Sequence, residues 1–485
     1  MKYTYYITTH YPKKGKAHHE PKENTMQRRD AVRLIPLTLA GIGSLVGKPS
    51  AEPSCGMCKE AGQAPGIPAL AYQQNVLDML RWIRESQSEK LLESSYAIAR
   101  TLRKGNTFWL NWDQGHGTNS EMYPGRHGLP LFCTHGYDPT KAKNGDLLMA
   151  SRILSKEGFD DLAKKDIFVI GSPSPWSGDA AGFEAIREDI QPMKIRPFSD
   201  IWIETNITSI GPVMKIPGMP APLGPVSGPL YMTLMWMVFA DVCRILSIEG
   251  KPVNVDGDET KLSGDRVSWE NLADPLMDNY LEEIGREMEL IGAELGDVRK
   301  IASMAVDTLL NGGTVYYYSR YSYTFATETT GRRGGFAFAR ALSDDTIDGT
   351  SKDCVIMGVY QPDDEVDLKN LREFKKRGMR VASIGPVTRD FQIPEGYCVH
   401  KEVEVHAGRM MDTYGLFAIP GFERKVCPTS GVLMFAINWT ISLEIIEQIR
   451  QRTGGNIPGV HFSGALRYGN GYNSRIRSMA DDRGY

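Results

Sequence analysis

The chain has 485 residues, 41% of them hydrophobic and 24% charged, a globular composition too long for one core of about 100–200 residues, so two or more domains are expected. Its 56 basic and 59 acidic residues leave a formal charge of −3, which gives no field to draw in nucleic acid or an anionic membrane. Seven scattered cysteines exclude a disulfide scaffold, and their odd number leaves at least one unpaired.

Residues 1–51 read as a leader. A polar, basic stretch precedes Met26, then come Arg28-Arg29 and Arg33, a mildly apolar run from Leu34 to Val46, and small residues up to Ala51. A charged start, a short apolar run and a small-residue exit make an export signal, and the arginine pair points to the twin-arginine route. The expected location is periplasmic or extracellular, with a cytoplasmic basic leader as the alternative. The run is shorter than the roughly 20 residues of a permanent membrane span. Residues 52–72 form a linker holding Cys55-Gly56-Met57-Cys58, a pair without a second ligand pair at zinc spacing and without a preceding strand.

Beyond it the chain repeats itself, which predicts domains at 73–262 and 263–454 and a tail at 455–485. Pro217-Gly218, Pro225, Ser227-Gly228 and Trp236 recur as Pro420-Gly421, Pro428, Ser430-Gly431 and Trp439, a spacing of 203 (420 − 217). Gly105, Thr107, Glu121, Arg126 and Gly128 recur as Gly312, Thr314, Glu328, Arg333 and Gly335, a spacing of 207 (328 − 121). Lys165-Asp166 and Gly171 are matched to Lys352-Asp353 and Gly358 at 187 (358 − 171), which implies about twenty extra residues around 138–164 in the first copy.

Each copy starts with a helix (74–102; 275–310) and a β-branched or aromatic run (107–112; 314–318), followed by a helix bearing the glutamate. Second strands are expected at 167–171 and 354–358, third strands at 194–197 and 380–384. Continuous apolar strands alternating with helices predict parallel sheets covered on both faces. Leu230 to Leu246 is apolar but carries Asp241 and Arg244, as befits a core helix. Ligands of such sheets bind beyond the carboxyl ends of the strands.

Two loops there are rich in hydroxyls and glycine. After the first strand come Gly115, His116, Gly117, Thr118 and Ser120, and after the next apolar run Ser172, Ser174, Ser177 and Gly178. Free N–H groups at a helix start favour an anion such as a phosphate; ordinary N-capping fits the same composition.

These residues resemble the SIS (sugar isomerase) phosphosugar-binding domain, a flavodoxin-like αβα sandwich. The likeness extends to a bacterial SIS group with a Gly-His-Ser loop, a helix with Glu and Arg-x-Gly-Gly, and a late Gly-Pro-Val-Ser. Here these read Gly115-His116-Gly117-Thr118, Glu121, Arg126-His127-Gly128 and Gly224-Pro225-Val226-Ser227 in copy 1, and Ser322-Tyr323-Thr324, Glu328, Arg333-Gly334-Gly335 and Pro428-Thr429-Ser430 in copy 2. The fold implied is two SIS-like three-layer αβα domains with parallel sheets in tandem. The substrate implied is a sugar phosphate or related carbohydrate, held through Gly117, Thr118, Ser120, Ser172, Ser174, Ser177, Gly178, Ser322 and Thr324. An aldose–ketose isomerase moves a proton between adjacent carbons, and the resemblance implies Glu121 and Glu328 as bases, a surface carboxylate or one paired with Arg126 or Arg333 being the alternative; His116, in the loop before Glu121, is the candidate ring-opening acid.

Copy 1 keeps the serines of the family's second loop but interposes Pro173, Pro175 and Trp176, and copy 2 departs further. Its second loop carries Asp363-Asp364-Glu365, whose carboxylates repel phosphate, so it reads as the degenerate half. Histidines 116, 127 and 135 fit no metal spacing, and no metal or cofactor is expected. His400 and His406 read as structural. The Gly/Arg/Tyr-rich tail suggests an interface and a homo-oligomer. The alternative function is an exported, non-catalytic carbohydrate-binding or assembly protein.

Overall fold

The computed structural model describes residues 67–483 outside 113–117, 119–120, 123–127, 131, 152–155, 175–193, 208–211, 220–221, 250–273, 321–322, 332–333, 343–346, 388–397, 410, 412–414, 421–424, 456–458 and 463–468. The chain divides into two compact units, Met1–Ser54 and Cys55–Tyr485, and every described residue belongs to the second. The arginine pair and the Cys55/Cys58 pair lie outside the described residues.

The first half runs α1 (Ile67–Arg103), β1 (Phe108–Asn111), β2 (Thr134–His135), β3 (Leu147–Ala150), α2 (Lys156–Lys164), β4 (Phe168–Gly171), β5 (Ile201–Trp202), the antiparallel pair β6 (Pro212–Met214) and β7 (Leu223–Pro225), and α3 (Ser227–Ile248). The second runs α4 (Leu276–Ala293), α5 (Leu295–Leu310), β8 (Val315–Tyr318), α6 (Tyr323–Thr330), β9 (Ala339–Leu342), β10 (Cys354–Gly358), α7 (Glu365–Lys376), β11 (Arg380–Ile384), α8 (Val399–Glu402), β12 (Val405–Ala407), α9 (Ser430–Arg452) and α10 (Gly469–Arg483).

Each half builds a five-stranded parallel sheet flanked by helices. The orders are β2-β1-β3-β4-β5 and β9-β8-β10-β11-β12, the same arrangement twice. The registers agree as well: Phe108 faces Leu147 as Val315 faces Cys354, and Leu147 faces Phe168 as Cys354 faces Arg380. Alternation along β3 makes the layers. Leu147 and Met149 enter the large central core, while Leu148 and Ala150 join Leu162 of α2 on the outer face. In the second half Val355 and Met357 meet Leu368, Leu371 and Phe374 of α7 in the same way.

The central core belongs to both halves. Every residue of α3 from Ser227 to Ser247 is buried, because α3 packs against α1, α4 and α9 at once. A helix with no solvent face can be apolar all round, which explains the lack of amphipathic period in this stretch.

Three sequence expectations are corrected. The strand equivalent to β10 is β3, since β3 lies beside β1 as β10 lies beside β8; the spacing is 207 (354 − 147), and the match at 187 is a coincidence of composition. The twenty-residue insertion around 138–164 therefore disappears, because spacings of 212 (380 − 168) and 204 (405 − 201) follow. A buried carboxylate fixes this alignment: Asp146 accepts from Thr107 N at 2.9 Å, and Asp353 accepts from Thr314 N at 2.7 Å. The expected strand at 194–197 is a 3-10 turn, Arg196–Phe198, where Pro197 has no N–H for a ladder; β5 begins at Ile201 instead.

The helix expected over 275–310 breaks at Glu294. Its carboxylate accepts from the backbone of Gly408 (2.6 Å) and Arg409 (3.2 Å), tying the break to the end of β12. In the unbroken α1 the equivalent Gln87 accepts from Glu204 N at 3.1 Å.

Candidate functional site

In a sheet of order 2-1-3-4-5 the chain leaves the first strand on one side and returns on the other, which opens a crevice at the carboxyl ends of the first and third strands. In the first half these ends are Trp112 after β1 and Ser151 after β3. Both are fully buried, and both the Trp112 indole nitrogen and the Ser151 hydroxyl lack a hydrogen-bond partner among the described residues. Buried polar atoms are nearly always satisfied, so two orphans flanking a switch point mark a place built for a ligand or water.

Neighbouring groups hold the crevice in shape. The Thr118 hydroxyl donates to the Trp112 carbonyl and fixes the start of the helical segment that follows β1. The Trp112 ring meets Tyr231 of α3 edge-on, 5.4 Å between centroids. The Tyr231 hydroxyl donates to the Pro173 carbonyl, with the Ser172 and Thr205 hydroxyls beside it, and burial raises its pKa above the ordinary tyrosine range. Ser172 and Ser174 thus follow β4, one strand beyond the crevice rather than at its lip as the sequence implied. Both are buried.

The second half carries an ion pair at the corresponding place, although its buried Ser319 hydroxyl, 207 residues after Trp112 (319 − 112), likewise lacks a partner among the described residues. Asp364 caps α7, accepting from Val366 N and Asp367 N at 2.9 Å each. Arg320, just past β8, donates to both of its carboxylate oxygens at 2.8 and 2.6 Å. The helix start that could take an anion therefore already holds one, bridged to the opposite loop.

The two glutamates lie where the halves meet. Glu121 is fully buried; one carboxylate oxygen accepts from the Trp236 indole N–H at 3.1 Å, and the other is pressed against Gly431, where a Cβ would overlap it. Gly431 is in the first turn of α9, so a carboxylate of domain 1 sits at the positive end of a domain 2 helix. Reciprocally, Glu328 is buried near Tyr72 of α1, whose hydroxyl pKa is raised by burial first and by that carboxylate second. Tyr72 donates to the Pro225 carbonyl and Tyr280 to the Pro428 carbonyl, both at 2.9 Å, so each half repeats the contact at its own Pro-x-Ser-Gly turn.

Of the other expected site residues, His116, Gly117, Ser120, Ser177, Gly178 and Ser322 lie outside the described residues; Thr324 lies within α6. No group of three or more His, Cys, Asp or Glu side chains suited to a metal occurs among the described residues. Trp112, Ser151, Tyr231 and the Arg320–Asp364 pair were not singled out from sequence. The usable signal was the equal spacing from Thr107 to Asp146 and from Thr314 to Asp353, which places Leu147–Ala150 as a strand and Ser151 at its end.

No family model and no curated protein matches the chain. Among solved structures it is similar to the C-terminal domain of glucosamine-fructose-6-phosphate aminotransferase from Francisella tularensis, at 12% identity and TM-score 0.42, over 82% of this chain and 98% of that one. It is also similar to candidate phosphosugar isomerases of Silicibacter pomeroyi (9%, TM-score 0.44, over 80% and 98%) and Clostridium difficile (11%, TM-score 0.43, over 80% and 95%).

Proposed function

We propose that domain 1 binds a sugar phosphate at the crevice between β1 and β3 and that domain 2 is a supporting copy whose crevice is closed by Arg320 and Asp364. The observation that carries this reading is the pair of orphaned polar atoms, Trp112 Nε1 and Ser151 Oγ, at the two strand ends that bound the crevice. A hydroxyl and an indole N–H can both donate to phosphate or sugar oxygens, as can the hydroxyl-rich 115–120 segment that gives the chain its SIS resemblance. The repeated fold belongs to the same reading, as the product of a tandem duplication in which the Arg320–Asp364 ion pair occupies the corresponding place of the second half.

Thermal-shift titration with hexose 6-phosphates tests it. A ligand at a hundred times its Kd adds about 2.7 kcal/mol of stability. Ser151→Ala removes a hydroxyl that has no partner among the described residues, so the free protein should melt within about 0.5 kcal/mol of wild type. It should also bind the phosphate roughly ten- to a hundredfold more weakly, the cost of one charge-assisted hydrogen bond. Equal stabilisation of both proteins by the sugar phosphate, or stabilisation of neither, would sink the assignment. A second reading, isomerisation with Glu121 as base, is favoured by its burial at the domain junction; turnover unchanged in Glu121→Gln would remove that residue from the chemistry.

A further inference from the structure

We propose that Cys243 and Cys427 are a thiol pair that closes to a disulfide between the two domains, tying α3 to the entry of α9. The first observation is conformational. Cys427 has φ 60°, and among the described residues the only other non-glycine with positive φ is Asn206, a type that tolerates this region. The equivalent position of the first half, 203 residues earlier (427 − 224), is Gly224 at φ 69°. A turn that needs a left-handed residue has glycine in one copy and a cysteine, with its Cβ in steric conflict, in the other.

The second observation is placement. Cys243 and Ser247 are one turn apart on the same face of α3, and the Ser247 hydroxyl donates to the Pro420 carbonyl. Pro420 belongs to the segment whose arms pair at Phe417 and Val426, and Cys427 follows Val426 directly. The start of α4 touches both sides: Leu276 N donates to Asp241 of α3 at 2.8 Å, and the Tyr280 hydroxyl donates to Pro428 at 2.9 Å. Both cysteines are fully buried in the same core. Burial pushes both thiols well above their ordinary pKa, and Cys427 raises Cys243 further. At the mirrored places stand Gly224 and Ile446, so the pair is a property of one junction only.

Buried thiols of raised pKa react slowly, so the bond forms while the chain folds. The oxidant is a small-molecule disulfide of the glutathione class. One cysteine thiolate attacks it and releases a thiol; the second cysteine attacks the mixed disulfide and releases the other. The protein loses two thiol hydrogens and the carrier gains them.

The full chain, unfolded in reductant and refolded in a glutathione redox buffer, is denatured in an alkylating agent and mapped by mass spectrometry. The expected result is a peptide joining Cys243 to Cys427, with a melting temperature that falls by roughly 5 °C or more when reductant is added. Cys427→Gly, which restores the residue of the sister turn, should fold and lose the redox dependence of its melting. Alkylation of both thiols in the refolded wild type, or pairing of either with another cysteine, would overturn the proposal.

Discussion

At the scale of single residues, burial decides the protonation of the histidines. His406 on β12 is held by Ser383 on β11, Nδ1 to Oγ 2.8 Å, and its ring lies 5.5 Å from that of His400. Burial first, then His400 and Arg409, lower its pKa to about 3, against weaker opposite pulls from a backbone hydrogen bond at Gly385 and from Asp297. His461 is lowered to about 4 by burial and Arg477. In the unfolded chain both titrate near 6.5, so between roughly pH 6.5 and 3 the unfolded state binds more protons than the folded one. Their contribution is therefore fully present above pH 6.5 and is lost as pH falls through that window. The melting temperature of wild type should drop more steeply from pH 6.5 to 4 than that of His406→Asn, which cannot be protonated; parallel slopes in the two pH series would refute this.

At the scale of elements, the first turn of α9 depends on a glycine that only the fold explains. Gly431 lies against the Glu121 carboxylate, which the Trp236 indole holds from the other side. A methyl group there must push a buried carboxylate away from its donor. Gly431→Ala should cost about 2–4 kcal/mol in chemical denaturation. In a Glu121→Ala background, where the space is free, the same change should cost much less, and additive effects would show that the two residues do not couple. The same scale accounts for what sequence reading missed. Apolar runs, the glutamate-bearing helix and the Pro-x-Ser-Gly turns were legible because they follow local rules. The place of Ser172 was not, because strand order is set by which β-strand lies beside β1, a pairing between segments far apart in the chain.

At the scale of the molecule, the halves share one core. The two helices Ser227–Ile248 and Ser430–Arg452 are long and apolar enough to cross a membrane by length and composition, with a mean hydropathy of 1.4 each, yet nearly all of both is buried inside the protein. They pack against each other, so separating the halves would expose an apolar face larger than a soluble domain normally shows. Residues 263–485 produced alone should self-associate or precipitate in size-exclusion chromatography. A monomeric fragment with a cooperative melt would contradict a shared core.

The sequence by itself determined the number of halves, their α/β class, the parallel sheets and the two central helices, because periodicity, apolar runs and repeated motifs are local properties that recur at a near-constant spacing. Tertiary structure alone decided which strand equals which, that the glutamates sit where the halves meet, that Arg320 pairs with Asp364, and that Trp112 and Ser151 end two neighbouring strands without a partner among the described residues. Each of these depends on contacts between segments far apart in the chain, and the spacing of residues along a chain does not encode which of them the sheet brings side by side.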